Sequence, residues 1–298
     1  LANLSKNIVC GNSLVTDPDA HPLALDWKAV FPHVFTGDPA GFDCVIGNPP
    51  WERLKLQERE FFDAVIPEVA AAVDAATRRR LIAEIEKTRP EIHERYLQAK
   101  TAAEKTLDYI RDSGRYPLCG KGDINTYAVF AELARTLVAP NGRVGLLVPS
   151  GIATDKTTKD FFGALVDRDS LIALYDFENK APVFLDVHRS FKFSVLLFGG
   201  AERKSEKADF VFFAHQMEDL DDRDRHIALS KKDLRSLNPN TLTCPIFRSR
   251  RDAEITKAIY RRVPILVDKT RKEGGNPWGI QFMRMFDRYQ DVVNRHKT

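Results

Sequence analysis

A side-chain amide, two prolines and an indole follow one another at Asn48, Pro49, Pro50 and Trp51. The prolines hold φ near about −65° and remove two N–H donors, so the carbonyls beside them are free to accept. The chemistry on offer is acceptance of hydrogen bonds by a side-chain oxygen and a backbone oxygen, next to an aromatic face. That suits a flat, amino-bearing ring. The preceding run Phe42-Asp43-Cys44-Val45-Ile46-Gly47 reads as a short buried strand, which the tetrad stops abruptly. Two other Asn-Pro pairs, Asn238-Pro239 and Asn276-Pro277, lack both the apolar strand before them and the second proline.

Short β-branched or aliphatic segments alternate with helical patterns and must position this corner. They are Asn7 to Cys10, Phe42 to Ile46, Arg143 to Val148, Leu171 to Tyr175, Phe191 to Phe198 and Ala208 to Phe213. The alternation predicts a mostly parallel sheet covered on both faces. Ligands bind beyond the carboxyl ends of such strands, where Asn12, Asn48 and Pro149 would emerge. Residues 52–115 interrupt the pattern with a helical block, divided by Pro67 and Pro90, each suited to the first turn of a helix. In its last piece Ile92, Tyr96, Ala99, Ala103, Leu107 and Ile110 share one face, which reads as a packed helical insertion, with a lid or polyanion-facing role for Arg78-Arg79-Arg80 as the lesser alternative. Another helix opens after Asp123 and runs through Val138. The glycines of Gly120-Lys121-Gly122 fit neither a P-loop nor a dinucleotide fingerprint.

With 298 residues, 43% hydrophobic and 29% charged, the composition is that of an ordinary globular protein with a substantial core. No apolar run approaches the roughly 20 residues of a membrane span. Cys10, Cys44, Cys119 and Cys244 are scattered, which argues against a disulfide scaffold or a zinc site and fits a reducing cytoplasm. The net charge of +3 is uneven: residues 221–298 carry 18 Lys/Arg against 10 Asp/Glu. The rest of the chain is net acidic, so the tail is the part suited to a polyanion.

Phe42 to Trp51 resembles the catalytic motif of class I amino-methyltransferases, which use S-adenosyl-L-methionine (AdoMet) to methylate exocyclic nitrogens of DNA bases. Trp51-Glu52-Arg53-Leu54-Lys55-Leu56-Gln57 and Asp123-Ile124-Asn125-Thr126-Tyr127-Ala128-Val129-Phe130 are most similar to the large adenine-N6 enzymes of type IIG restriction–modification and related phage-defence systems. The resemblance implies an α/β, Rossmann-like class I methyltransferase sheet with a helical insertion, and double-stranded DNA as substrate. Asn48 and Pro49 would accept from the two amino hydrogens of a flipped adenine, so that its nitrogen lone pair turns toward the methyl donor. Trp51 would stack on one face of the base and Phe184 on the other, whereas Phe191 and Phe193 alternate with the following strand and are expected to be buried. Asn12, Ser13 and Asn48 would lie along the cofactor, and Arg189, Arg248, Arg250 and Arg251 would reach phosphate.

In that family a glycine loop reads the methionine moiety of AdoMet and an acidic residue reads its ribose. Both belong upstream of the region matched by Asn7 to Leu14, and the sequence, which opens at Leu1, contains neither. The expectation is a fragment: an incomplete sheet lacking its first two strands, inactive and binding AdoMet weakly or not at all by itself. Its partner would be the remainder of a longer polypeptide or a companion subunit. The expected division is a partial catalytic core at 1–51, a helical insertion at 52–115, the core continued at 116–213, and a basic extension toward a target-recognition region at 214–298. Two other readings stay open. One is methylation of RNA adenine or protein glutamine, where a similar tetrad is used. The other is a non-catalytic DNA-binding remnant without the cofactor loop. No Pro-Asp…Glu-x-Lys nuclease constellation is convincing in these residues, and no DNA target sequence is legible.

Overall fold

The computed structural model describes residues 4–181, 183–185 and 187–281. Its centre is one six-stranded sheet built from β1 (Phe42–Gly47), β2 (Val138–Pro149), β3 (Leu171–Glu178), β4 (Lys192–Gly199), β5 (Lys207–Ala214) and β6 (Ile227–Ser230). The spatial order is β1-β2-β4-β3-β5-β6. The α/β class expected from the alternating pattern is what the chain adopts. The sheet is mixed, however, and not mostly parallel: β1/β2 and β3/β5 are parallel pairs, while β4 runs antiparallel to β2 and β3, and β6 antiparallel to β5. The physical reason lies between β3 and β4. No described residue there is helical, and a parallel return needs a crossover that a plain loop cannot supply.

Two expectations at the amino-terminal side fail. Asn7 to Cys10 is not a strand; Leu4–Asn7 form a 3-10 turn, and Ile8 is 81% exposed. Only an isolated bridge, Asn12 to Ala24, follows. An extended segment needs a neighbour to satisfy its backbone, and none of the described residues pairs with this one. Nor is β1 buried. It pairs with β2 on one side, its other edge is unpaired among the described residues, and Ile46 is 82% exposed.

The main core lies where the helix Thr126–Leu137 meets β2, and nine residues of that helix are buried. Phe161, Phe162 and Leu165, on the helix Lys159–Asp167, are fully buried in the same cluster with Phe198 and Phe210. The helical block forms Glu58–Asp63, Pro67–Ala70, Ala75–Thr88 and Pro90–Asp112, with both prolines in a first turn as expected. Phe62, Ile66, Val69, Ile82, Ile85 and Tyr96 give it a core of its own. Arg78 is an internal strut there: its Nε lies 2.9 Å from Glu58 Oε2, and the Tyr96 hydroxyl donates to Glu58 Oε1 at 3.0 Å. Burial alone would raise the Glu58 pKa, but the bonds from Arg78 and Tyr96 outweigh it and leave the carboxyl lowered. Arg79 and Arg80 face outward.

Candidate active site

β1 ends at Gly47 and delivers Asn48 to the surface. The Asn48 side chain and the Pro49 carbonyl accept no hydrogen bond from any described residue. The next carbonyl is engaged: the Thr126 hydroxyl donates to Pro50 O at 2.6 Å and lies 3.0 Å from Glu52 O. The Glu52 N–H returns a bond to Thr126 Oγ1 at 3.1 Å. Thr126 N–H to Glu52 O at 2.9 Å, Leu54 N–H to Ile124 O at 3.0 Å and an Arg53–Asp123 ion pair at 3.3 Å complete the tie. The corner is thus fastened by the start of the 126–137 helix, and its two free acceptors are held out from it.

Asn48, Pro49, Pro50, Trp51, Phe184 and Val187 line one cavity of about 300 Å³. Phe184 stands edge-on to Phe193, with centroids 5.3 Å apart at 77°. Phe193 in turn lies flat on Phe177, at 5.2 Å and 4°. Phe193 is buried as expected, but Phe191 is not: it is 47% exposed and stacks on Trp51 at 6.1 Å and 14°. The reason is position. Phe191 falls one residue before β4, past the end of the sheet, where the alternation that buries Phe193 has no second layer to meet. Trp51 Nε1 is buried without a hydrogen-bond partner among the described residues.

The carboxyl ends of β2 and β3 and the start of β4 hold a polar cluster that the sequence reading passed over. β3 continues through Asp176, which is buried and takes hydrogen bonds on Oδ1 from Ser150 and from Ser194, the latter at 3.0 Å. Burial pushes its pKa up despite those two donors. Two residues on, Glu178 pairs with Lys180 and, at 3.1 Å, with Lys192, and these hydrogen bonds hold its pKa down to about 2. A strand read as ending at Tyr175 hid both acids. The alternation of Asp176 and Glu178 with Tyr175 and Phe177 was the signal that could have extended it.

Among the candidate phosphate contacts, Arg189 and Arg251 are exposed. The Arg248 guanidinium and the Lys192 ammonium lie 5.1 Å and 4.9 Å from the ring of Phe213, a residue with φ of 57°. Arg250 is spent internally, bonding the carbonyls of His226, at 3.1 Å, and Arg223. Part of the basic tail, including Phe282 to Thr298, lies outside the described residues.

The proposed cofactor contacts divide between two places. Ser13 and Asn48 line a cavity of about 450 Å³ between β1 and the 126–137 helix, together with Trp27, Phe42, Phe130 and Leu137. Asn12 lines a separate space of about 480 Å³ beneath the helical block, and its Oδ1 accepts from the Leu14 N–H at 3.1 Å. The first cavity offers apolar and aromatic surface to an adenine ring, but no acidic or basic side chain for a ribose diol or an amino-acid end. Among the described residues, this lining fits the apolar part of AdoMet and not its charged end. No group of three metal-ligating side chains occurs among them, and none of their helices is long and apolar enough to cross a membrane.

No curated protein matches the chain. The methyltransferase subunit of the type I restriction-modification system from Streptococcus thermophilus is 14% identical with a TM-score of 0.41, over 72% of this chain and 39% of that one. The type IIG restriction endonuclease BpuSI is 16% identical with a TM-score of 0.35, over 76% of this chain and 21% of that one. The type IIL restriction-modification enzyme MmeI, solved in complex with DNA, is 11% identical with a TM-score of 0.34, over 69% and 20%. The chain thus spans well under two thirds of each of these proteins. By sequence, residues 1–73, which contain the whole Asn48–Trp51 corner, match the family model of the Eco57I restriction-modification methylase.

Proposed function

We propose that this chain carries the acceptor-base site of a DNA methyltransferase that modifies the exocyclic N6 of adenine, as part of a restriction–modification or related defence system. The observation that carries the reading is the pair of unengaged acceptors, Asn48 side chain and Pro49 carbonyl, on the wall of a cavity that Trp51 and Phe184 also line. The family match across the same corner supports it. An adenine flipped into this cavity would give its two amino hydrogens to those oxygens and meet aromatic surface from Trp51 and Phe184. Stacking of this kind contributes about 1–3 kcal/mol per base, which offsets much of the cost of leaving the duplex. AdoMet supplies the methyl group when bound. Ser13 and Asn48 border the space beside β1 that would receive its apolar portion.

The test is methyl transfer from labelled AdoMet, catalysed by the natural polypeptide that contains this sequence, to mixed genomic DNA, bulk RNA and protein offered together. N6-methyladenine in DNA is the expected product, with Asn48→Ala as the negative control. Label in RNA or protein with unlabelled DNA would replace the reading with one of its alternatives. Binding of DNA with no transfer to any acceptor would leave a non-catalytic DNA-binding protein.

A further inference from the structure

Asn179 stands one residue beyond β3 and is completely buried. Its backbone N–H donates to the Phe191 carbonyl at 3.0 Å and so closes the neck of the loop that carries Phe184. Its side chain turns into that loop. Nδ2 donates to the Phe184 carbonyl at 2.9 Å and to the Val187 carbonyl at 2.8 Å, and Oδ1 accepts from the Phe184 N–H at 3.2 Å. A primary amide has two hydrogens to donate, and both are used here. One side chain thus pairs with Phe184 in both directions, as a neighbouring strand would, and pins Val187 as well. Other bonds among the described loop residues include Val187 N–H to Phe184 O at 3.3 Å, Phe191 N–H to His188 O at 2.9 Å, and a His188–Ser190 pair at 2.7 Å from Nδ1 to Oγ.

We propose that Asn179 is a positioning residue for the base cavity: its amide clamps the loop between β3 and β4 so that Phe184 and Val187 form a preset wall for a purine. The proposal rests on the adenine reading above. The amide is chemically required. An aspartate would set a carboxylate without donors against two carbonyl oxygens, and an alanine would leave the Phe184 N–H unpaired and its C=O with only the 3.3 Å bond from the Val187 N–H. The ring contact with Phe193 fixes the aromatic end of Phe184, and Asn179 fixes its backbone. Between them the ring is immobilised before a ligand arrives, so little ordering is left to occur on binding.

Two measurements on the full chain separate the clamp from the adenine reading. The first is residue-resolved hydrogen exchange. In Asn179→Ala, and in Asn179→Asp, which keeps the side-chain shape, the Phe184 and Val187 amides should exchange about ten- to a hundredfold faster, while Leu196 and Phe210 in β4 and β5 keep their rates. Acceleration of Leu196 in one variant would mark a global loss of stability, and the comparison then passes to the other. Unchanged exchange at Phe184 in both overturns the clamp. The second is the emission of DNA carrying 2-aminopurine, a purine that reports on stacking. Binding to the wild-type chain should change that emission. Asn179→Ala and Phe184→Ala should each abolish the change, and the double variant should add nothing. A wild-type signal that persists in Asn179→Ala overturns the positioning role. A wild-type chain that gives no signal, while its Phe184 amide responds as stated, refutes the purine site and leaves the loop clamp standing.

Discussion

The Thr126 hydroxyl lies 2.6 Å from the Pro50 carbonyl, so the first residue of the most buried helix holds the corner presented by the sheet's edge strand. That bond selects which carbonyl of the corner is satisfied internally and leaves the one before it, on Pro49, to a ligand. Thr126→Val preserves shape but removes the hydroxyl from Pro50, Glu52 O and Glu52 N–H together. The expected cost is about 1 kcal/mol of stability, because part-buried polar groups lose a partner. Methyl transfer by the natural polypeptide should fall with a larger change in kcat than in KM, since the acceptors shift while the aromatic walls stay. Thr126→Ser should restore most of both. Denaturant melts and steady-state kinetics check this, and a Val variant with wild-type kcat would sever the link between Thr126 and the corner.

Asn48 itself is exposed and makes no hydrogen bond within the described residues. Its replacement should therefore be silent for folding and severe for function. Asn48→Ala should change stability by no more than about 0.5 kcal/mol. Its methyl transfer should drop about a hundred- to a thousandfold, the usual effect of losing one oriented group that stabilises developing charge. Thermal melting and labelled transfer measured on one preparation decide it, because a parallel loss of both would make Asn48 structural.

The corner and its neighbouring helix were legible in the sequence because each is local. Prolines fix their own backbone, and the apolar run before Asn48 needs only adjacent residues to be recognised. Pro67 and Pro90 announced two helix starts for the same reason. What could not be read depends on pairing across the sheet. Whether Asn7 to Cys10 extends is decided by whether a strand lies beside it, and the exposure of β1 is decided by its unpaired edge. The direction of β4 depends on a loop in which no described residue is helical. Phe191 and Phe193 look equivalent by period, yet one lies past the sheet's end and stacks on Trp51 while the other is buried. Asn179 carried no signal at all, since its bonds go to backbone atoms of a loop whose path the sequence does not reveal.

Glu178 makes a prediction about acid. Hydrogen bonds from Lys180 and Lys192 hold its folded pKa at about 2, against an ordinary value of 4.5. A depressed carboxyl pKa means that the native state binds the proton more weakly than the unfolded chain does. Its contribution to stability is therefore present above pH 4.5 and is lost as pH falls toward about 2. Glu178→Gln should be less stable than wild type at neutral pH and should converge with it in acid. Urea melts through that window test the sign, and a difference that widens on acidification would refute the assignment.

Asp176 should behave in the opposite sense. Burial raises its pKa above the ordinary value of 3.8, so the native state holds this proton more tightly than the unfolded chain. The stability it contributes is present below that ordinary value and is lost as pH rises through the native pKa. Both serine hydroxyls donate to Oδ1, so Asp176→Asn can keep those two bonds on its carbonyl oxygen while removing the buried charge. The variant should match wild type in acid and exceed it at neutral pH. Glu132, a second buried carboxyl with a raised pKa, gives the wild type a slope of the same sign, so the quantity that isolates Asp176 is the difference between the two chains. Melts of both from about pH 4 to about pH 7 measure it. A gap that stays constant across the range would mean that Asp176 titrates alike in the native and unfolded chains, and that its bonds to Ser150 and Ser194 offset its burial.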